Sequence, residues 1–166
     1  MSREARHPPE RLARVAAAIR QELDRVARVV AEAERGAVAF RSVSPSLLEL
    51  RGLGDVIHDF YTGIERIFEK VAPELNGGVP AGPAWHRELL DNMTLDLPGV
   101  RPALVSAETA RVLEEFLRFR HLFRNLYGFE IEWSRLRPLL ERVGPAWNAF
   151  ATDATRFLEF LDAASG

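Results

Sequence analysis

Apolar residues recur at intervals of three and four along most of this chain, and that spacing commits it to helices. Residues 9–36 carry Leu12, Val15, Ala16, Ile19, Leu23, Val26, Val29 and Val30 on one stripe, with Arg and Glu filling the opposite face. Gly36 is expected to end that helix. Ser44 followed by Pro45 reads as a start signal, a capping hydroxyl before a proline at the first helical position. The segment behind it runs Leu47, Leu50, Leu53, Ile57, Phe60, Ile64, Ile67, Phe68 and Val71 to about Ala72, with Pro73 and Asn76-Gly77-Gly78 closing it. A short helix over 83–93 sits between Pro/Gly loops. Ser106 caps a further helix expected to reach Gly128, and helices over 134–143 and 145–163 are expected to be separated at Gly144-Pro145. No run alternates with period two between turns. The expected fold is all-α, a bundle of four or five antiparallel helices. One domain spans 1–166, with residues 1–8 disordered.

Charge and cysteine usage narrow the function classes. The net charge of −2 excludes a globally basic nucleic-acid binder but leaves room for a local basic patch. The chain has no Cys, which removes thiolate catalysis, disulfides and Cys-ligated zinc. MSREARHPPER shows no apolar leader, and no run approaches the roughly 20 apolar residues of a membrane span. A cytoplasmic protein without membrane contact is expected.

The local patch is RFRHLFRNLYGF, residues 118–129. Arg118, Arg120, His121 and Arg124 fall within seven residues with no acid among them. On a continuing helix Arg120, Arg124 and Tyr127 share one stripe, and His121, Arg124, Asn125 and Gly128 share the next. Clustered guanidiniums beside an imidazole suit a phosphate or phosphodiester: Arg presents a planar fork of donors to its oxygens, and His moves protons near neutral pH. The plainer alternative is a solvated face whose arginines pair with Glu114, Glu115 and acids on other helices.

FRHLFRNLYGFEIEW resembles the signature of HepT-like proteins in the HEPN superfamily, all-α bacterial ribonuclease toxins usually encoded beside a small nucleotidyltransferase antitoxin. The superfamily motif is Arg, a polar residue, three further positions, His, one residue, Tyr. Arg120, His121 and Tyr127 fall on the Arg, polar and Tyr positions, and Asn125 stands where the motif has His. LRGLGDVIHDFYTGIERIFEKVAPELNGG (50–78) and AWHRELLDNM (84–93) resemble the same branch. The likeness covers most of residues 45–145.

The resemblance implies a HEPN-like helical bundle and cleavage of RNA without a metal or cofactor. In that chemistry the ribose 2′-OH attacks the adjacent phosphate, the motif His handles a proton and the motif Arg steadies the phosphate. It implies a homodimer whose motifs meet in one groove, and a cognate nucleotidyltransferase partner that adenylylates the motif Tyr, here Tyr127. On these grounds Arg120, His121, Asn125 and Tyr127 are the candidate catalytic residues, with Arg118 and Arg124 as further RNA contacts. Asn125 departs from the family, since an amide cannot act as general acid or base. Two outcomes stay open: His121, one turn away, takes over the proton, or the protein is a lapsed module that binds RNA or its partner without cutting.

Asp55, His58, Asp59 and Thr62 share a face of the second helix, followed by Glu65. Such a set is ligand-like for a metal. The preferred reading is a polar face supporting Arg120 and Arg124, with His58, Asp59 and Glu65 as the supporting residues. Gly63, inside the helix, suggests a close helix–helix approach. Trp85, Trp133 and Trp147 are expected at the core.

Overall fold

The computed structural model of the protein describes residues 8–166; of the stretch 1–8 expected to be disordered, 1–7 lie outside them, and Pro8 caps the first helix, its carbonyl accepting from Arg11 N at 2.9 Å. Five helices follow one another: α1 (Pro9–Ala39), α2 (Leu47–Leu75), α3 (Trp85–Met93), α4 (Ala107–Phe123) and α5 (Trp133–Ser165), with a single 3-10 turn at Gly128–Glu130. There is no strand among the described residues, and none of their helices is long and apolar enough to cross a membrane.

The helices pack as an antiparallel bundle. Arg11 pairs with Glu74, and Val26 meets Gly63, so α1 and α2 run in opposite directions. Arg20 pairs with Asp162, and Glu34 lies against Gly144, so α5 also runs against α1. Phe60 meets Phe116 edge-on, with ring centroids 4.9 Å apart, and Phe123 lands on Gly54, which sets α4 against α2. α3 bridges α2 and α4.

α2 is the central element: Ile57, Phe60, Tyr61, Ile64, Ile67, Phe68 and Val71 are all fully buried. A Cβ on Gly63 would come within 2.5 Å of Val26 Cγ2, so the glycine is what lets α1 approach. This is the close contact expected from the sequence.

Helix ends differ from expectation at several points, and α2 itself runs through Pro73 to Leu75. Ser46, not Ser44, caps α2: its hydroxyl accepts from Glu49 N at 3.3 Å, and Glu49 Oε2 accepts from Ser46 N at 2.7 Å. This reciprocal pair needs Glu three residues after Ser, which only Ser46 has. α1 runs past Gly36 because Gly36 is where Leu53 packs rather than a stop. The expected break at Gly144-Pro145 is absent, and α5 is continuous. Pro145 removes one helical hydrogen bond, a cost of about 3 kcal/mol. Burial of Leu140, Val143, Ala146 and Phe150 on both sides of it offsets that cost, each large apolar side chain contributing about 2 kcal/mol.

Candidate functional site

α4 delivers the basic stretch but stops earlier than its spacing suggests. Phe123 is its last residue, and the chain leaves through i→i+3 turns, Asn125 N to Leu122 O at 3.0 Å and Leu126 N to Phe123 O at 3.4 Å. Asn125 donates its side-chain amide to His121 O at 2.9 Å, satisfying an otherwise orphaned carbonyl of the last turn. The reason for the early end is tertiary. Phe123 wedges over Gly54, where a Cβ would sit 2.7 Å from its ring, and Gly128 packs directly on the Arg51 side chain.

The early end shortens the expected stripes. Arg124, the αR cap of α4, still follows Arg120 by one turn, its N–H bonding Arg120 O at 3.3 Å, but Asn125 and Tyr127 lie beyond the helix. Tyr127 is extended (φ −71°, ψ 147°), 71% exposed, and stacked parallel on Phe129 with centroids 5.4 Å apart. It does not line the groove beside Arg120, although the expected stripe put the two residues on one face. Arg124 and Asn125 are exposed.

Arg120 goes the other way, inward, with only 11% of its side chain exposed. Nε donates to Thr62 Oγ1 at 3.4 Å, Nη1 to His86 Nε2 at 3.3 Å, and Nη2 lies 3.7 Å from Glu65 Oε1. Glu65 is a buried carboxylate on the packed side of α2, and its Oε2 lies 2.7 Å from His86 Nδ1. The chemistry of the partners assigns the imidazole's tautomer. A guanidinium has no acceptor, so Nε2 must accept from Arg120; Nδ1 therefore carries the proton and donates it to Glu65. Trp85 stacks on the imidazole with centroids 3.6 Å apart. Tyr61 lies behind this cluster, fully buried, its hydroxyl without a partner. Burial, reinforced by the Glu65 charge, pushes its pKa far up, so it stays a neutral phenol.

His86 and Arg120 open onto a groove of about 330 Å³ between α3 and α4, lined also by Arg87, Glu114, Arg118 and His121. Three guanidiniums there face one carboxylate. Glu114 accepts from Arg118 at 2.8 Å and from Arg87, and the two cations hold its carboxyl below the usual range. The plainer alternative thus holds for Arg118, an exposed arginine paired with an acid of its own helix.

The other sequence candidates divide. Glu65 and Thr62 support Arg120. His58 packs on Phe123 (centroids 5.8 Å apart) and lies 3.5 Å from Asp59, which turns to solvent; Asp55 is also exposed. The expected carboxylate support for the basic helix therefore comes from Glu65, nearly two turns beyond Asp59. Trp133 and Trp147 pack at the edge of the core. No group of three or more His, Asp or Glu among the described residues could hold a metal ion.

The residue that sequence reading passed over is His86. Its signal lay elsewhere, in Glu65: a carboxylate between Ile64 and Ile67 on a buried face requires a cationic or N–H partner from another helix. A larger, mostly apolar cleft of about 890 Å³ opens between the first turn of α1, the last turn of α5 and residues 96–102. Its one buried cation, Arg101, is spent on Asn76 Oδ1 and on the carbonyls of Asn92, Leu95 and Pro102.

No curated protein and no solved structure matches the chain. A family model described as HepT-like protein matches residues 52–161. That span contains every side chain of the groove, from Thr62 and Glu65 through His86 to Arg120 and His121. The chain belongs to the HepT-like proteins of the HEPN superfamily.

Proposed function

We propose that the groove between α3 and α4 binds the phosphodiester backbone of single-stranded RNA, and that the protein is the endoribonuclease toxin of a cytoplasmic toxin–antitoxin pair. The observation that carries this reading is the buried guanidinium of Arg120 opening onto a groove that Arg87 and Arg118 also line, beside two imidazoles. A phosphate is the ligand that three such donors suit. Arg124, exposed just past the end of α4, extends the positive surface for a longer strand. The cleavage that family membership suggests is attack of a ribose 2′-OH on the adjacent phosphate, with no metal in the step.

The homodimer, the nucleotidyltransferase partner and the modification of Tyr127 belong to the same proposal. Leu122, Tyr127 and Phe129 are exposed on and just beyond α4, at 54%, 71% and 68%, and suit a protein interface better than water. The high exposure of Tyr127 leaves its hydroxyl open to an enzyme.

A second reading is a module that binds RNA or the nucleotidyltransferase without cutting. Asn125 favours it, since the residue at the motif His position spends its amide on capping α4. One experiment separates the two: purified protein is incubated with a labelled single-stranded RNA in the presence of EDTA, beside the same strand with 2′-deoxy sugars. The nuclease reading expects cleavage of the first and none of the second. Salt-sensitive binding without cleavage gives the second reading. Absence of binding at low salt overturns the nuclease reading and leaves of the second only a module that binds the nucleotidyltransferase.

A further inference from the structure

We propose that His86, oriented by Glu65, is the proton carrier of this site, in place of the missing motif imidazole at position 125. The inference rests on the nuclease reading. Three observations carry it.

The first is orientation. Glu65 is buried, holds His86 Nδ1 at 2.7 Å and fixes the tautomer that puts a lone pair, not a proton, on Nε2. A carboxylate behind an imidazole also stabilises the imidazolium once the proton arrives. The other imidazole of the groove, His121, is an exposed residue of α4 that no comparable carboxylate orients. The second is position. Nε2 lies 3.3 Å from Arg120 Nη1, so the proton acceptor and the phosphate donor stand side by side. The third is exchange of partners. Without RNA, Arg120 donates to a neutral nitrogen through a long contact. A phosphate oxygen is a stronger, charged acceptor for the same N–H. When it takes Arg120, the lone pair of Nε2 is released next to the bound phosphodiester. Trp85, stacked on the ring, keeps the imidazole from rotating away.

The step balances with one imidazole. Nε2 takes the proton of the ribose 2′-OH as that oxygen bonds to phosphorus. The bond from phosphorus to the 5′ oxygen breaks, and the imidazolium returns the proton to that oxygen. The products are a 2′,3′-cyclic phosphate and a 5′-hydroxyl, and His86 is again neutral. Glu65 touches no substrate and is a positioning residue.

The charged and titratable groups facing His86 are Glu65 and Glu69 from α2 and Arg120 from α4, with Tyr61 behind. Across the groove are Arg118, Glu114 and His121, and Arg87 follows on its own helix. Among these, Glu65 alone bonds the imidazole as an acceptor.

The test uses the full chain, a fluorescent single-stranded RNA, cleavage rates across pH 5–9, and RNA binding by anisotropy. His86→Asn is expected to cut at least about a hundredfold more slowly, the low end of a general base's contribution, while RNA affinity stays within about threefold. Any acid limb in the wild-type pH–rate profile should vanish from the residual activity. Added imidazole should restore cutting to His86→Gly, which a merely structural role cannot produce. Glu65→Gln should move the acid limb to lower pH. His121→Ala should cost less than tenfold. Cutting by His86→Asn within tenfold of wild type overturns the assignment but not the nuclease reading. So does a loss in His86→Gly that imidazole does not recover, or a greater loss in His121→Ala. A wild type that binds RNA and never cuts it overturns the nuclease reading and the assignment together.

Discussion

Glu65 Oε1 lies 3.7 Å from Arg120 Nη2, and both side chains are withdrawn from solvent, at 4% and 11% exposure. They come from positions 55 residues apart, so this pair ties α4 to α2 at the point where the groove begins. A buried carboxylate left without its cation is costly, and Arg120→Ala should lower stability by roughly 2–4 kcal/mol. In a domain of this size that is a fall of roughly 5–15 °C in Tm. Adding Glu65→Gln to Arg120→Ala removes the stranded charge, so the double variant should be less damaged than the sum of the two singles. Thermal melts of all four proteins give the cycle; additivity within about 0.3 kcal/mol would show that the two groups are not coupled.

Glu114 restrains the groove's charge. It neutralises part of Arg87 and Arg118, and its own pKa is depressed chiefly by the Arg118 hydrogen bond. The sign follows: its ion pairs are intact above the ordinary carboxylate pKa and are lost as pH falls through the lower, folded-state value. Glu114→Gln frees Arg118 at pH 7 and leaves Arg87 only its 3.3 Å pair with Asp91. Single-stranded RNA should then bind several-fold tighter, with a steeper salt slope. The stability change should stay below about 1 kcal/mol, since two of the three partners are exposed. Unchanged affinity in anisotropy titrations at 50 and 200 mM salt would place RNA elsewhere.

Tyr61 buries a hydroxyl with no partner behind the cluster. An unsatisfied buried polar group costs about 1–3 kcal/mol. Tyr61→Phe should therefore raise Tm by a few degrees and leave RNA binding unchanged. A lower Tm would mean that the hydroxyl bonds Glu65 in solution and belongs to the network.

Assembly is tested at the exposed apolar residues. If two copies meet along α4 and the segment after it, Leu122→Glu or Phe129→Glu should convert a dimer to a monomer at micromolar concentration by light scattering. A wild-type monomer at that concentration removes the proposal.

Tyr127 should gain the mass of one or more AMP groups when the protein is co-expressed with a nucleotidyltransferase of the kind proposed as its partner. The modification should be absent in Tyr127→Phe. Because Tyr127 stands outside the groove, the added phosphates would act at the groove's flank or at the dimer contact, so loss of RNA binding should be smaller than that caused by Arg120→Gln. An unmodified Tyr127 beside a demonstrably active partner excludes it.

The fold was legible because each helix writes its buried stripe into the local spacing. Leu50, Leu53, Ile57, Phe60 and Ile64 announce α2 with no tertiary information. Helix ends were less legible where a distant residue decides them. Nothing near Phe123 says that it will meet Gly54 or that Gly128 will meet Arg51, so the motif appeared as one continuous face. The continuity of α5 through Pro145 was hidden for the same reason, since the stabilising burial belongs to contacts with α1. At the site, Arg120 stood out because its basic neighbours are adjacent in sequence. His86 did not, because what distinguishes it from any surface histidine is a hydrogen bond to a carboxylate 21 residues away.

Arg120 is held by Thr62 and Glu65 from one helix and His86 from another, and none of those three belongs to the stretch that carries the motif. The order of emergence from the ribosome is therefore Thr62 and Glu65, then His86, then Arg120. A nascent chain has no organised groove until α4 has been synthesised and has docked on α2 and α3. A peptide that copies residues 107–129 has the charges without the pocket, and a cell making this protein meets its groove only once α4 has joined α2 and α3.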